Sequence, residues 1–119
     1  TNRAVIPLNW HVYELAFFTD EPCAQPVDGV PFSSGSCDTC ICNNSQGIYG
    51  TCGAELAFDQ NIPSGRQQGT AWISQCGSTQ QCVPGQAWLG LNIYKNVPVR
   101  CLRLLQLGDT LYMTKELAF

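Results

Sequence analysis

Eight cysteines in a chain of 119 residues constrain this sequence more than any other feature: Cys23, Cys37, Cys40, Cys42, Cys52, Cys76, Cys82 and Cys101. Six of them fall between Cys23 and Cys76. An even count at this density reads as a disulfide framework, which persists only where cellular reductants do not reach it. A zinc site is the competing reading, because Cys37, Cys40, Cys42 and Cys52 could offer four thiolates. The C-x-x-C-x-C spacing is too tight for two separate ligand knuckles, and no second C-x-x-C pair follows. Disulfides are therefore expected, with about 105 connectivities open to eight cysteines.

The rest of the composition narrows the class. Charged residues make up 13% of the chain and hydrophobic residues 45%, which argues for one folded domain rather than disorder. Eleven glycines and seven prolines imply many turns. A net charge of −3 gives no electrostatic reason to bind nucleic acid or an anionic membrane. No apolar run approaches the ~18 residues of a membrane span. The chain opens on Thr1 without a basic and apolar leader, as expected of a mature secreted product. The sequon Asn43-Asn44-Ser45 makes Asn43 a glycan acceptor if the route is secretory.

Patterning points to strands. Between Trp10 and Phe18, His11, Tyr13, Leu15 and Phe17 alternate with Trp10, Val12, Glu14, Ala16 and Phe18. Both sets are largely apolar, so this strand is expected to be covered on both faces. Further short strands are expected at Val30–Phe32, Ala71–Ser74, Ala87–Ile93 and Val97–Leu107, with a strand or turn at Ala54–Phe58 and renewed alternation from Leu111 to Leu117. No segment carries a capped helical stripe. Short strands joined by Gly and Pro turns predict an all-β, antiparallel sandwich. Residues 33–53 form a cysteine-laden insertion that needs stapling, and residues 1–9 precede the first strand as an extended segment. The tetrapeptide Glu-Leu-Ala-Phe recurs at 14–17, 55–58 and 116–119 with irregular spacing and unmatched flanks, which reads as coincidence.

The order of several segments is informative. W-x-V-x-E-L-x-F-x-x-D spans Trp10 to Asp20 and precedes Cys23. A-F-D (Ala57–Asp59), W-I-S (Trp72–Ser74), A-W-L-G-L (Ala87–Leu91) and V-R-C-L-R-L-L-Q (Val99–Gln106) follow. This ordered set resembles the galactose-binding-domain-like superfamily, in particular discoidin-like (coagulation factor type C) modules, over roughly residues 10–107. The resemblance implies a jelly-roll β-sandwich at 10–119, an extracellular setting and a binding or adhesive role without catalysis. It also implies a Cys23–Cys101 bridge, with Cys76–Cys82 closing a loop between them. Cys37, Cys40, Cys42 and Cys52 are then expected to form two local bridges in the insertion, which simple modules of this kind lack. Together with the strand pattern, it places Trp10, Val12, Leu15, Leu89, Leu91, Leu102 and Leu104 in or against the core, with Trp72 and Trp88 largely buried. The chain also departs from fucose-binding relatives, having one histidine, His11, and no R-G-D run.

Chemistry is expected to be absent. A hydrolytic triad would have to use His11, which sits in an apolar strand and reads as a packing residue. Oxidised cysteines offer no nucleophile, and the carboxylates Asp20, Glu21, Asp28 and Asp59 show no pattern that marks a raised pKa. Asp20 and Asp28 are weak candidates for a structural calcium ion, against the alternative of a solvated acidic loop. Carbohydrate recognition would draw on Trp72, Trp88, Tyr49 and Tyr94, with Asn61, Arg66 and Gln67 in support. Val5, Ile6, Pro7 and Leu8 form an apolar extension that either covers its own core or adds to a sheet edge of a neighbouring copy. The leading expectation is thus a structural subunit of a self-assembling extracellular fibre or matrix. The alternative is a carbohydrate-binding, lectin-like adhesion module.

Overall fold

A computed structural model of the chain describes residues 1–43, 48–50, 52–61, 70–76 and 81–119, with backbone alone at 42, 43 and 48–50. Among these residues the protein is all-β apart from a short 3₁₀ helix at Ala54–Ala57. The strands are β1 (His11–Phe18), β2 (Gly29–Ser33), β3 (Cys40–Asn43), β4 (Ile48–Gly50), β5 (Trp72–Ile73), β6 (Leu89–Ile93) and β7 (Cys101–Gln106). They form antiparallel groups in the orders β5-β1-β7, β2-β6 and β3-β4. No helix among the described residues is long and apolar enough to cross a membrane.

β1 is central because its residues are apolar on both faces, and it is buried between β5 and β7 with two clusters against it. Trp10, Val12 and Leu15 join Ile6, Trp72, Cys82 and Ala87 in the main core, where the Trp10 and Trp72 rings meet edge to face at 5.6 Å. Tyr13 packs in the second cluster with Cys37, Cys52, Ala71 and Ile73. The indole N–H groups are satisfied: Trp10 donates to Gln106 Oε1 at 2.8 Å and Trp72 to Ser36 Oγ at 3.2 Å.

Simple alternation fails within β1. Against β7, Val12 pairs with Gln106 and Glu14 with Leu105, so Tyr13 is an extra residue in a β-bulge. A bulge shifts side-chain parity by one. Leu15 and Phe17 therefore join the face of Trp10 and Val12, and Glu14 leaves it.

Three disulfides join Cys23 to Cys101, Cys37 to Cys40 and Cys76 to Cys82, and Cys52 is also disulfide-bonded. The side chain of Cys42 lies outside the described residues. Oxidation of Cys37, Cys40 and Cys52 removes the four-thiolate zinc arrangement.

The two termini pack against each other and the domain. Leu111 to Leu117 forms no strand, and only Leu117 bridges, to Asn2. The Arg3 N–H donates to the Glu116 carbonyl at 2.9 Å and the Ala118 N–H to the Thr1 carbonyl at 2.9 Å, so the two ends close on each other. Of the two alternatives for Val5-Ile6-Pro7-Leu8, the segment in this chain lies along its own domain. Ile6 is 0% exposed and exchanges backbone bonds with Cys82, Leu8 N–H donates to the Leu111 carbonyl, and Val5 and Pro7 stay outside. The physical reason is proximity: the apolar gap that Ile6 fills belongs to the same chain, so filling it costs no association entropy.

Two expected core residues are also corrected. Trp88 is exposed, because it sits at the end of β6 on the outward face of a two-stranded ribbon. Leu91 is half-buried and lines a cleft, whereas Leu89, Leu102 and Leu104 are partly buried and pack against the main core.

Candidate functional site

The bulge in β1 has a chemical consequence, since it turns Glu14 towards a cleft of about 640 Å³ between β1, the 3₁₀ helix and the inner side of the β2–β6 ribbon. The 3₁₀ helix inserts Ala54 and Ala57 into the core and so presents Glu55 and Phe58 to the cleft. Phe58 stacks on Phe17 with ring centroids 6.4 Å apart. On the opposite side the cleft is lined by Asp28, Pro31 and Leu91. Arg103 of β7 also lines it, with its guanidinium 5.0 Å from the centre of the Phe18 ring.

Glu14 is 7% exposed, and its Oε2 has no hydrogen-bond partner. The carboxyl is pushed up to about 7, first by burial and then by the negative charge of Asp59. A hydrogen bond from the Gln60 backbone N–H opposes this shift. Gln60 reaches that position with φ of 59°, in the left-handed region that side chains other than glycine seldom adopt. A buried carboxyl oxygen without a hydrogen-bond partner is uncommon, and Glu14 is among the residues that line the cleft.

The second feature is the outward face of β2–β6. The ladder pairs Phe32 with Gly90, and it extends to Ser34 and Trp88 through Ser34 N–H donating to the Trp88 carbonyl at 3.0 Å and Trp88 N–H to Ser34 Oγ at 3.1 Å. Gly90 carries no side chain, so the Phe32 ring lies across it and meets Trp88 with centroids 5.5 Å apart. Trp88 is 37% exposed and Phe32 48%, and Tyr94, just past β6, is 72% exposed. Val30 and Asn92, paired with each other, are exposed as well. The result is an exposed aromatic pair on the ribbon face that also carries Val30 and Asn92.

The residues singled out in the sequence are scattered. His11 has its ring centroid 4.7 Å from that of Tyr112, and burial lowers its pKa to about 4. Trp72 is fully buried, whereas Trp88 and Tyr94 are on the surface. The Asp20 carboxylate accepts the backbone N–H groups of Ala24 and Gln25 at 2.9–3.2 Å, so it braces the turn leading into β2, while Asp28 lines the cleft. Asn61 lies beyond the cleft, its backbone N–H donating to Asp59 Oδ1. Asn43 ends β3, but its side chain, that of Tyr49, and Asn44, Ser45, Arg66 and Gln67 lie outside the described residues.

Glu14, Phe17, Glu55, Phe58 and Phe32 were missed by sequence reasoning. One signal was present: a glutamate inside a strand apolar on both faces. Another was the repeated Glu-Leu-Ala-Phe, whose first two copies meet here, with both glutamates lining the cleft and both phenylalanines stacked.

Comparison of the chain with protein-family models, with curated proteins and with solved structures gave no match.

Proposed function

We propose that this chain is a non-catalytic extracellular binding module of the galactose-binding-domain-like, jelly-roll type, and that it binds carbohydrate through the outward face of β2–β6. The observation that carries this reading is the exposed pair of Trp88 and Phe32 rings, 5.5 Å apart, on the face that carries Asn92, with the exposed Tyr94 following β6. Pyranose rings have apolar C–H faces and polar edges, and aromatic side chains with nearby amide and hydroxyl groups complement both. A sandwich reading is supported by the central β5-β1-β7 sheet and the separate β2–β6 ribbon that roofs the cleft against it. The disulfides are compatible with an oxidising, extracellular location. His11, desolvated and set against Tyr112, is a poor general base, which supports a role without catalysis.

A glycan array tests the reading. The wild-type chain should bind a restricted set of glycans, and Trp88→Ala should lose that binding while remaining folded. Equal binding by the variant would remove carbohydrate recognition from this face.

Self-assembly into an extracellular fibre or matrix is the second reading, and a different observation favours it. Among the described residues β2 and β6 pair only with each other, and the ribbon exposes Val30 and Phe32. Unpaired edges beside apolar side chains are templates for strand addition. Particle size by light scattering separates the readings: a binding module stays monomeric without glycan, whereas a structural subunit forms large assemblies.

A further inference from the structure

We propose that the cleft beneath the β2–β6 ribbon is a separate binding site for a small organic ammonium ion, held by the Glu14 carboxylate against the stacked Phe17 and Phe58 rings. Three independent features converge on this chemistry. Glu14 is more than nine-tenths buried, yet Oε2 has no hydrogen-bond partner, so in its ionised form the carboxylate is short of a donor. The groups around it are mostly negative: Asp59 acts on Glu14 through its charge, while Glu55 from the 3₁₀ helix and Asp28 beside β2 line the same space. Among the described residues of the lining Arg103 from β7 is the one cation, and it lies over Phe18.

The shape selects among cations. At about 640 Å³ the cleft is far larger than a bare metal ion needs. Among the described residues no group of three or more carboxylate, histidine or cysteine side chains is arranged to hold a metal. Apolar surface from Phe17, Phe58, Pro31 and Leu91 suits a hydrocarbon chain, and ring faces attract an ammonium head. An alkylammonium offsets the negative charge of the lining and fills the apolar remainder, and it supplies the missing N–H donor once the buried Glu14 carboxylate turns towards it. The site lies on the inner side of the ribbon, opposite the exposed aromatic pair, so it goes beyond the carbohydrate reading.

Binding should couple to ionisation of Glu14. With its carboxyl pushed up to about 7, Glu14 is mostly protonated at pH 6 and mostly ionised at pH 8. The apparent affinity for a cation should then rise about tenfold across that interval.

Isothermal titration of the full chain with 1,4-diaminobutane tests the proposal, with 1,4-butanediol and calcium chloride as comparison ligands. The expected result is saturable binding of the diamine at pH 8 that is about tenfold weaker at pH 6. The diol should not bind, and calcium should not displace the diamine. Glu14→Gln, which keeps shape and removes charge, should weaken binding at least tenfold. Phe58→Leu, a milder change at the cleft wall, should weaken it severalfold. No diamine binding, equal binding by Glu14→Gln, binding of the diol as strongly as the diamine, or displacement by calcium would each overturn the proposal.

Discussion

Asn2 and Ala87 hold each other through two hydrogen bonds: the Asn2 backbone N–H donates to the Ala87 carbonyl at 3.0 Å, and the Ala87 N–H donates to Asn2 Oδ1 at 3.0 Å. Asn2 is wholly buried, and its Nδ2 also donates to the carbonyls of Ala4 and Val83. Its own carbonyl accepts from Gly85, whose φ of +82° makes the turn possible. A residue at the very start of the chain thereby organises residues 82–87, which carry the chain into β6.

The first prediction follows from that relationship. Asn2→Ala leaves the Ala87 N–H unpaired in the interior and should cost about 2–4 kcal/mol in urea denaturation. Deleting residues 1–9 should cost more, because it also uncovers the gap filled by Ile6. The truncated chain is expected to be unfolded or severely destabilised, where an intermolecular arm would have left a stable monomer.

Two tryptophans provide a paired prediction. Trp72 is fully buried, so Trp72→Ala should cost about 3–5 kcal/mol. Trp88 stands on the outer face with its ring against Phe32, and Trp88→Ala should cost about 1–2 kcal/mol, clearly less than Trp72→Ala, while abolishing glycan binding. Melting curves read beside a glycan array check both halves.

The pH dependence of stability should hide two opposing slopes. His11 has a folded pKa of about 4 against 6.5 unfolded, so the unfolded chain binds more protons between those values and stability rises with pH there. Glu14 has a folded pKa of about 7 against 4.5 unfolded, so the folded chain binds more protons and stability falls with rising pH over that window. The two effects offset each other between pH 4.5 and 6.5. Thermal melts of Glu14→Gln should expose the rising slope of His11, and those of His11→Phe the falling slope of Glu14. A variant that leaves the wild-type profile unchanged would show that its group does not titrate in this way.

Among the bridges, Cys23–Cys101 joins residues 78 apart, against separations of 3 and 6 for Cys37–Cys40 and Cys76–Cys82. If cross-links act by restricting the unfolded chain, the long loop contributes most. Replacing Cys23 and Cys101 together by alanine should lower stability by about 3–5 kcal/mol, and replacing Cys37 and Cys40 by clearly less. Denaturant titration of the two double variants decides the order.

Much of the framework was legible before any coordinates. Cysteine parity pointed to oxidation, and the apolar residues of Trp10–Phe18 marked a strand covered on both sides. Trp10, Val12 and Leu15 are indeed buried. The candidate site was far less legible. A bulge of one residue at Tyr13 reverses side-chain parity, and nothing in the local alternation announces it. Trp88 sits in a run as apolar as that around Trp72, yet its strand belongs to a ribbon with one face in solvent.

Glu-Leu-Ala-Phe shows where the division falls. At 14–17 it is β-strand, at 55–58 it forms the 3₁₀ helix and its cap, and at 116–119 it is an irregular end with one bridge at Leu117. Composition, cysteine number and apolar patterning are properties of the chain itself, so they set an all-β, cross-linked domain. Backbone conformation within a four-residue stretch has no such autonomy, because its local preferences are weaker than the hydrogen bonds and burial supplied by distant partners. β7 holds the first copy extended, the core draws in Ala54 and Ala57 of the second, and residues 1–3 catch the third. Only that tertiary arrangement brings Glu14 beside Glu55 and Phe17 onto Phe58, and so makes a cleft from a coincidence of sequence.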